Sequence, residues 1–510
     1  MRNYKKKALF SVTPFEGLCE LVQRLVLMEW EIIATKDACE VIRESGIKVT
    51  NVAEFNGVPK LYDFPPTLHP KMEYALTVDC PERVDIVLDI PYGLDDGNDV
   101  GGYTLLALAA KGNRIPIMSV KDMDNVVTLF QAEGEVGESY KKELINKVYF
   151  KIARHYFELI KREGGEKYLG CILKQELQLE SGENPYQRPA YLYSCDDADQ
   201  LSLPSFKQIS GNSPCYTNLA DMDCILETIV RLSVACENNL GKIPFITIAA
   251  KHGNPCGLGV SFTLPEESID LALLGNPRAI WGGEVIVNFP VEGPLADKLL
   301  RSKRRGSLLN NEYWMLDIIV APSIDKASVE VLSKKPNRKL LVNPFLSMVT
   351  LRSELEMRFV RGGALVQPTA NYVIELQSLC WSSDSIPSEN KLDLLIAWAT
   401  AFTSNLGGNE IAIVKNGQLL SIDGGASTVD AARQVIMKIQ SLNHDCKGGA
   451  FAADAFFPFT DAPEILCDSG ILIGVVPKGG TQNVDVRKYF ISRKVNVGFL
   501  AEEFRGFCRH

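Results

Sequence analysis

Short apolar runs alternate with amphipathic segments at the start of the chain, and this alternation limits the possible folds more than any other feature. We interpret KALFSV (residues 7–12), EWEIIAT (29–35) and VDIVLDI (84–90) as strands. FEGLCELVQRLVLM (15–28) carries apolar residues at helical spacing between the first two. Strands that alternate with helices form a parallel sheet with helices on both faces. The sequence therefore predicts an α/β fold for this region.

Chain length and one long charged segment indicate more than one domain. At 510 residues the chain exceeds what one hydrophobic core ordinarily supports. A charged amphipathic helix pattern covers residues 139–165, and we place the first boundary just after it, near residue 170. The remainder, 171–510, is again mixed, with strand patterns in IPFITIAA, GEVIVNF, LDIIVAP, NEIAIVK and GILIGVVP and helix patterns in DLALLG and TVDAARQVIMKIQSL. No repeat period of solenoid type is visible.

Composition excludes several classes of protein. The chain is 46% hydrophobic and 23% charged, as globular proteins are, and its net charge of -9 without a basic block argues against nucleic-acid binding. Thirteen scattered cysteines without a Cys-x-x-Cys pair indicate a reducing compartment, so we expect a cytoplasmic protein. Five histidines without paired spacing predict no metal site. The sequence shows neither a signal peptide nor a membrane span.

The stretch IAAKHGNPCGLGV (248–260) places Lys251 and His252 at the end of an apolar run, directly before GNPCG. This position is poor for burial, because a lysine is rarely buried without a partner and a Gly-Asn-Pro turn stops a strand. One interpretation is a strand end that delivers a cation and a proton-transfer group into a cleft. The other is a solvated turn, which is the commoner explanation for an isolated Lys-His pair.

Four other segments carry residues that suit a binding site. They are SGENPYQRPAYLY (181–193), PRAIWGGEVIVNF (277–289), ADAFFPFTD (453–461) and FRGFCRH (504–510). The simpler explanations, in the same order, are a polar turn, a tight glycine turn, an aromatic core cluster and a frayed terminus. The glycine-rich loops DGGASTVDAAR and PKGGTQNVD fit neither the P-loop nor the dinucleotide-binding spacing, and Ser427 or Thr428 is more simply a helix N-cap.

Taken in order, these segments resemble one family, the bifunctional purine-synthesis enzyme that joins AICAR transformylase to IMP cyclohydrolase. KHGNPCG matches the family's Lys-His-x-Asn-Pro-x-Gly, and GENPYQ matches its Gly-x-Asn-Pro-His-Gln. ADAFFPFTD matches Ser-Asp-Ala-Phe-Phe-Pro-Phe-Arg-Asp, and RGFCRH matches the Arg-x-Phe-x-His ending. Four matches in the same order identify the chain as a divergent member of this family.

The resemblance implies a fold and a reaction. Residues 1–170 are expected to form a methylglyoxal-synthase-like, cyclohydrolase-type domain. Residues 171–510 are expected to form two cytidine-deaminase-like subdomains without zinc, in a homodimer with shared active sites. In the family, the transformylase moves a formyl group from 10-formyltetrahydrofolate to an aromatic amine, so one proton leaves the amine and one reaches the folate nitrogen. Ordinary lysine and histidine pKa values lie on either side of neutral pH, and by resemblance Lys251 and His252 are the proton-transfer pair.

Further positions match family residues around the two substrates. Those implied to bind the amine substrate are Asn218, Asn409, Phe456, Arg505 and Phe507. Those implied to bind the folate are Trp281, Gly282, Asp317, Pro458, Phe459 and Asp461.

The cyclohydrolase half departs from the family. ATKDA (34–38) replaces the phosphate loop Ser-Thr-Gly-Gly-Thr, and Phe15, Phe64 and Pro66 stand where the family has cations. Asp99, Gly101 and Lys111 persist. We therefore expect no IMP cyclohydrolase activity and a structural or dimerising role for this domain.

The transformylase half has lost its phosphate contacts. The family's Arg-Tyr pair reads Glu180-Ser181 here, and a phosphate-binding lysine falls on Pro336, unless the alignment slips onto Lys334 or Lys335. A phosphate needs donors and positive charge, and a glutamate repels it. The sequence thus predicts a formyltransferase for a different amine, without a 5′-phosphate.

Three alternatives stay open at this point. The chain is an ordinary AICAR transformylase if Lys334, Lys335 or Arg338 has taken over the phosphate. It is a non-catalytic folate-binding or partner-binding homologue if the central pair is inactive. A zinc hydrolase is disfavoured, because NPCG lacks a second cysteine two residues on and no His-x-Glu motif occurs.

Overall fold

The computed structural model describes residues 4–58, 66–164, 167–195, 199–348, 350–352, 355–383 and 387–508. The chain forms two compact units, Met1–Leu173 and Lys174–His510. Both units combine helices with sheets, so the predicted mixed α/β class is confirmed. None of the helices in these described ranges has the length and apolarity needed to cross a bilayer.

The first unit contains a five-stranded, all-parallel sheet in the order β3-β2-β1-β4-β5. Its elements are β1 (Lys7–Ser11), α1 (Leu18–Leu27), β2 (Glu31–Ala34), α2 (Lys36–Glu44), β3 (Thr50–Asn51), α3 (Val52–Asn56), α4 (Pro70–Thr77), β4 (Ile86–Asp89), α5 (Val100–Lys111), β5 (Ile115–Ile117), α6 (Val120–Glu133) and α7 (Glu138–Arg162).

Helices cover both faces of this sheet, as the sequence pattern predicted. Leu9 on β1 belongs to a buried cluster with residues of α4 and α5, whereas its neighbour Phe10 belongs to a second cluster with α1, α2 and α6. Successive side chains of a strand point to opposite faces. A sheet buried on both sides needs strands without polar alternation, which is why the whole of β4 is buried.

The second unit is built on one twelve-stranded mixed sheet, with two separate hairpins beside it. Its elements are β6 (Lys174–Leu179), β7 (Ala190–Ser194), β8 (Lys207–Ser210), α8 (Tyr216–Leu240), β9 (Phe245–Lys251), β10 (Asn254–Ser261), α9 (Pro265–Leu273), β11 (Gly283–Val287), α10 (Leu295–Leu300), α11 (Lys303–Leu309), β12 (Leu316–Ala321), α12 (Lys326–Leu332), β13 (Lys339–Val342), β14 (Leu355–Val360), β15 (Gly363–Pro368), β16 (Cys380–Trp381), α13 (Lys391–Thr403), β17 (Ile411–Lys415), β18 (Gln418–Asp423), α14 (Thr428–Ser441), β19 (Ala450–Ala453), α15 (Asp461–Asp468), β20 (Ile473–Pro477), α16 (Asn483–Ser492) and β21 (Asn496–Leu500).

The large sheet is an internal duplication. Its order, β16-β21-β20-β19-β17-β18-β10-β9-β11-β12-β13-β8, repeats the same connections outward from the central β18–β10 pair. In each half a strand precedes a long helix, and a hairpin follows the helix. The first strand of the hairpin also pairs antiparallel with the strand that comes after the hairpin, β9 with β11 and β17 with β19. Two further parallel strands complete each half. Helices α8 and α13 occupy equivalent positions and contribute buried residues to one core cluster.

Helix α13 has buried residues all around its circumference. Such a helix lies inside a core rather than on a surface, and the hydroxyl groups of Thr228 on α8 and Thr403 on α13 are 2.7 Å apart. Ser427 caps α14, because its side chain accepts the Asp430 N–H, which confirms the interpretation of DGGAST as a helix start.

Candidate active site

Lys251 and His252 lie at the tip of the β9–β10 hairpin. Lys251 is opposite Asn254 in the ladder, and the two residues between them have positive φ, 56° at His252 and 73° at Gly253. A two-residue loop with both φ positive is the form of a type I′ hairpin turn. Strand β9 ends at Lys251 as expected, but His252 and Gly253 form the turn rather than Gly-Asn-Pro, because Asn254 and Pro255 already belong to β10.

The second half of the sheet carries the same turn with different chemistry. In the β17–β18 hairpin, Asn416 and Gly417 have φ of 54° and 75°, and their N–H groups donate to the Asp393 carboxylate at 2.8 and 2.7 Å. At the first hairpin, the carboxyl of Asp221 on α8 interacts with the backbone N–H of His252.

The two hairpins differ in the first residue of the turn. Asparagine, aspartate and histidine are the non-glycine residues enriched at positive φ, and the repeat uses Asn416 where the first hairpin uses His252. His252 takes the same conformation and is exposed, so burial does not account for the histidine. Local strain of this kind concentrates at functional sites, which favours the cleft interpretation over the plain solvated turn.

The Lys251 ammonium group donates to the Trp281 carbonyl oxygen at 2.7 Å. Gly282 has a φ of 74°. A Cβ on Gly283 would lie 2.4 Å from the Ala250 carbonyl oxygen. Gly282 is therefore needed for its left-handed backbone conformation, and Gly283 is needed because strand β9 passes too close for a side chain. This approach brings Trp281 and Gly282 beside the predicted proton-transfer pair.

Asn218 and a residue that the sequence did not single out, Glu284, form the buried base of this region. Asn218 Nδ2 donates to Glu284 Oε1 at 3.2 Å, and Glu284 is 3% exposed. Burial, with smaller contributions from the charges of Asp221 and Asp317, raises the pKa of Glu284 to about 8. A glutamate inside the apolar run GEVIVNF was the available signal, since such residues are rarely buried.

Asp317 pairs with Lys335, with Nζ and Oδ1 2.7 Å apart. Arg338 is buried and donates to the carbonyl oxygens of Leu316 and Leu332 at 3.0 and 2.5 Å. Two of the three residues considered as replacement phosphate contacts are therefore engaged elsewhere. Lys334 is exposed.

A cavity of about 360 Å³ opens beside the β9–β10 turn. Lys251, His252 and Asn254 line it together with two further cations, Arg278 and Lys438. Lys438 pairs with Asp423 at 2.6 Å, whereas Arg278 makes no ion pair with any described residue. This cavity can therefore accept an anionic group as well as a neutral one.

A second cavity of about 530 Å³ is lined by four of the predicted substrate-binding residues, Asn409, Phe456, Arg505 and Phe507. Asn409 Nδ2 donates to the Gly425 carbonyl at 2.9 Å. This leaves the amide oxygen of Asn409 to accept hydrogen bonds from a ligand.

The chain end reaches this cavity because it is anchored. Gly506 N–H donates to the Asp454 carbonyl at 2.9 Å, Cys508 N–H donates to Phe402 at 2.9 Å, and Cys508 is buried. The usual fraying of a terminus therefore does not apply to residues 505–508. His510 lies outside the described residues.

The phenylalanines of ADAFFPFTD have three different environments. Phe456 lines the second cavity, Phe457 is buried against Phe451 and Phe490, and Phe459 is 55% exposed. Asp461 begins α15 and accepts the N–H of the next residue at 2.9 Å. Neither cavity is lined by Pro458, Phe459 or Asp461, so their folate-binding roles stay predictions.

The two cavities lie on either side of residues 405–408. Asn254, from the first, exchanges hydrogen bonds with the backbone of Asn405, from the second, at 2.9 and 3.3 Å. A single chain therefore holds the predicted proton-transfer pair and four of the predicted substrate-binding residues in neighbouring but separate cavities.

Glu410 and Asp454 also line the second cavity, and sequence reasoning gave them no role. They are 1% and 4% exposed. Burial, followed by the adjacent Glu410 carboxyl group, raises the pKa of Asp454 to about 9.

In the first unit, two of the residues that replace family cations lie in parts of the fold where they have structural roles. Phe15 packs against the core, Pro66 precedes α4, and Phe64 lies outside the described residues. Asp99 caps α5 by accepting the Gly102 N–H at 2.7 Å. Lys111 ends the same helix, about 18 Å away at 1.5 Å per residue.

A family model described as AICARFT/IMPCHase bienzyme matches residues 109–438. The chain belongs to this bienzyme family. Membership confirms the resemblance inferred from the motifs. The Bifunctional purine biosynthesis protein PurH of Bacillus cereus (strain AH820) is 27% identical over 519 residues, which covers 94% of this chain and 96% of the relative. The protein of the same name from Bacillus cytotoxicus is 26% identical over the same shares.

One solved structure, titled Crystal structure of ForH, matches with 23% sequence identity and a TM-score of 0.26. The match covers 30% of this chain and 95% of that chain.

Proposed function

We propose that this family member is a formyltransferase that moves a formyl group from 10-formyltetrahydrofolate to an amine without a 5′-phosphate. The observation that carries the proposal is the strained His252 beside Lys251 at the mouth of a cavity. In this mechanism one of the two groups takes the proton that the amine loses, and the other supplies the proton that the folate nitrogen gains. General acid–base catalysis of this kind contributes about 10²–10⁴-fold to a rate.

The loss of the phosphate contacts supports the change of substrate. Glu180 replaces a family arginine, and its carboxylate accepts a hydrogen bond from Asn212, just ahead of α8. A helix N-terminus attracts anions. A carboxylate beside it is expected to take the place of a phosphate and to repel one.

Two copies of the chain are expected to share each active site, which is the arrangement that the family resemblance implies. The separation of the two cavities by residues 405–408 supports this arrangement, because the proton-transfer pair of one copy then meets binding walls of the other. Trp281, Gly282, Asp317, Pro458, Phe459 and Asp461 are proposed to bind the folate, and Asn218, Asn409, Phe456, Arg505 and Phe507 the amine.

The first unit is proposed to have no IMP cyclohydrolase activity and to serve the fold or the dimer. The replaced phosphate loop and the lost cations support this, since ATKDA, Phe15 and Pro66 offer neither the glycines nor the positive charge that a phosphate needs. Conversion of formyl-AICAR to IMP by the pure protein contradicts the proposal. We also propose a cytoplasmic location, because thirteen scattered cysteines without a Cys-x-x-Cys pair fit a reducing compartment.

One observation favours a second candidate, AICAR transformylase with relocated phosphate contacts. Arg278 and Lys438 line the same cavity as Lys251 and His252, and a guanidinium group is well suited to phosphate. Under this candidate, Arg278 rather than Arg338 takes over the phosphate.

The test is a spectroscopic assay of tetrahydrofolate release from 10-formyltetrahydrofolate. The acceptors are AICAR, its unphosphorylated riboside and a panel of aryl amines. We expect release with an unphosphorylated amine and a lower kcat/KM with AICAR. A higher kcat/KM with AICAR that falls in Arg278→Met supports the second candidate instead. No release with any amine favours a non-catalytic homologue.

The duplicated hairpin supplies a matched control for the catalytic pair. Lys251→Met is expected to lower kcat about 10²-fold or more. Lys415→Met changes the equivalent lysine of the second hairpin, which pairs with Asp445 at 2.7 Å, and is expected to leave kcat unchanged. Equal effects of the two substitutions contradict the assigned role of Lys251.

A further inference from the structure

The carboxyl groups of Glu410 and Asp454 meet because of strand pairing. Glu410 directly precedes β17 and Asp454 directly follows β19, and these strands are antiparallel with Ile411 opposite Ala453. Asp454 N–H donates to the Glu410 carbonyl at 3.2 Å, which extends the ladder by one pair. Like charges at directly opposite positions of a ladder repel each other. The sheet thus forces two buried acids into contact.

Only one of the four carboxyl oxygens has a structural role. Glu410 Oε1 accepts the N–H groups of Leu406 and Gly408 at 2.7 and 2.9 Å, so Glu410 shapes the loop between the cavities. Among the described residues, Glu410 Oε2 and both Asp454 oxygens lack a hydrogen bond of ordinary geometry, and the Asp454 carboxyl group interacts with the Glu410 carboxyl and with the backbone N–H groups of Asp454 and Ala455. Buried oxygens of this kind are usually satisfied. These loop contacts therefore account for Glu410 in part, and the Asp454 carboxyl group takes no part in them.

The rest of the lining adds acceptors and flat walls. The amide oxygen of Asn409 is another acceptor, because its Nδ2 is bonded to Gly425, and Phe456 and Phe507 contribute aromatic rings. In the described part of the chain Arg505 forms no ion pair with either acid; its Nη1 pairs with Glu502 at 3.3 Å and its guanidinium lies 5.8 Å from the Phe456 ring centroid. A planar ligand with several N–H donors and a positive charge fits such a lining.

We propose that Glu410 and Asp454 bind a planar cationic group of the amine substrate, such as an amidinium or a protonated aminoazole, whose N–H groups donate to the buried carboxyl oxygens that face the cavity. This inference rests on the proposed function and specifies its substrate class. Burial and the neighbouring Glu410 carboxyl raise the pKa of Asp454, so the empty pair holds a proton at neutral pH. The cation displaces this proton to solvent, so binding the cation releases a proton where binding a neutral analogue does not.

The probes are two ribosides that differ at one group, 5-aminoimidazole-4-carboxamide riboside and its 4-carboxamidine analogue. Binding to the full-length protein is measured by titration calorimetry in two buffers with different ionisation enthalpies. We expect the amidine to bind about 10- to 100-fold more tightly, as charge-assisted hydrogen bonds allow, with proton release. Glu410→Gln keeps the loop contacts through its amide oxygen and is expected to reduce the preference to about 3-fold or less.

A second variant guards against a folding defect in the first. In Asp454→Asn the amide donates to Glu410 in place of the shared proton, so the fold is expected to persist and the preference to fall. Asp485→Asn removes an exposed acid on α16 and is expected to keep the wild-type preference. Equal binding of the two ribosides, no binding of either, or an unchanged preference in both Glu410→Gln and Asp454→Asn overturns the inference.

The formyl-transfer assay separates this inference from the proposed function. Amidine preference in calorimetry, with no formyl transfer to any amine, refutes the transferase and leaves the cation site. Formyl transfer to uncharged amines without amidine preference refutes the cation site and leaves the transferase.

Discussion

Replacing Asp454 by asparagine is predicted to make the protein more stable at alkaline pH. The ordinary pKa of an aspartate is 3.8, and that of Asp454 is about 9 in the folded chain. Between these values the folded chain holds one proton more than the unfolded chain, so its stability falls as pH rises. A carboxyl group 4% exposed should give nearly the full effect, about 1.4 kcal/mol per pH unit.

The predicted magnitude follows directly. From pH 5 to pH 8 the wild type should lose about 4 kcal/mol through this one group, and Asp454→Asn should not. The amide also supplies a permanent hydrogen for the Glu410 carboxylate. Glu410→Gln is expected to remove a smaller part of the slope, because burial and not the neighbouring carboxyl is the largest cause of the raised pKa.

The assay is urea denaturation of the full-length protein at several pH values, followed by tryptophan fluorescence. Trp30 is the single tryptophan of the first unit, and the other four of the five lie in the second, so the signal reports mainly the unit that contains Asp454. Asp485→Asn serves as the exposed control. The reasoning is refuted if Asp454→Asn keeps the wild-type pH slope, or if it is less stable than the wild type at pH 8.

Three further predictions concern other sites. Gly102→Ala would place a methyl group 2.6 Å from Asp89 Oδ1 and should destabilise the first unit by about 1–3 kcal/mol, measured by thermal unfolding; an unchanged Tm contradicts this. Arg338→Met removes a buried guanidinium and should cost about 2–4 kcal/mol in urea denaturation, while the ratio of kcat/KM for phosphorylated and unphosphorylated amines stays the same; a changed ratio would return Arg338 to the phosphate site. His252→Asn gives the first hairpin the turn residue of the second, so formyl transfer should fall about 10²-fold or more while stability stays equal or rises; a stability loss equal to that of a core mutant would refute the functional account of the strain.

Local patterns predicted much of the first unit correctly. The runs interpreted as strands at residues 7–12, 29–35 and 84–90 contain β1, β2 and β4, because apolar periodicity directly reports which side chains are buried. The order of the strands in the sheet and the assignment of Leu9 and Phe10 to opposite faces required the three-dimensional structure, since both depend on how distant segments pack.

The candidate site was predictable only where chemistry lies in consecutive residues. Lys251 and His252 are adjacent in the sequence, and the four residues of the second cavity were reached through the resemblance. Glu410 and Asp454 were not singled out, because an acid becomes unusual only when the fold buries it. Glu284 was overlooked although it stands inside the apolar run GEVIVNF. Strand pairing, which joins residues far apart in the sequence, is what brings Glu410 to Asp454.

The sequence alone determined the α/β class, the family and the presence of a lysine-histidine pair, since each of these is written in periodicity or in short motifs. The tertiary structure decided how the two halves of the second unit join, because the antiparallel β18–β10 pair combines two equivalent sets of strands into one twelve-stranded sheet. It also decided which acids keep a proton. That property depends on the water and charge removed from around a carboxyl group when distant strands close over it, and no stretch of sequence carries that information.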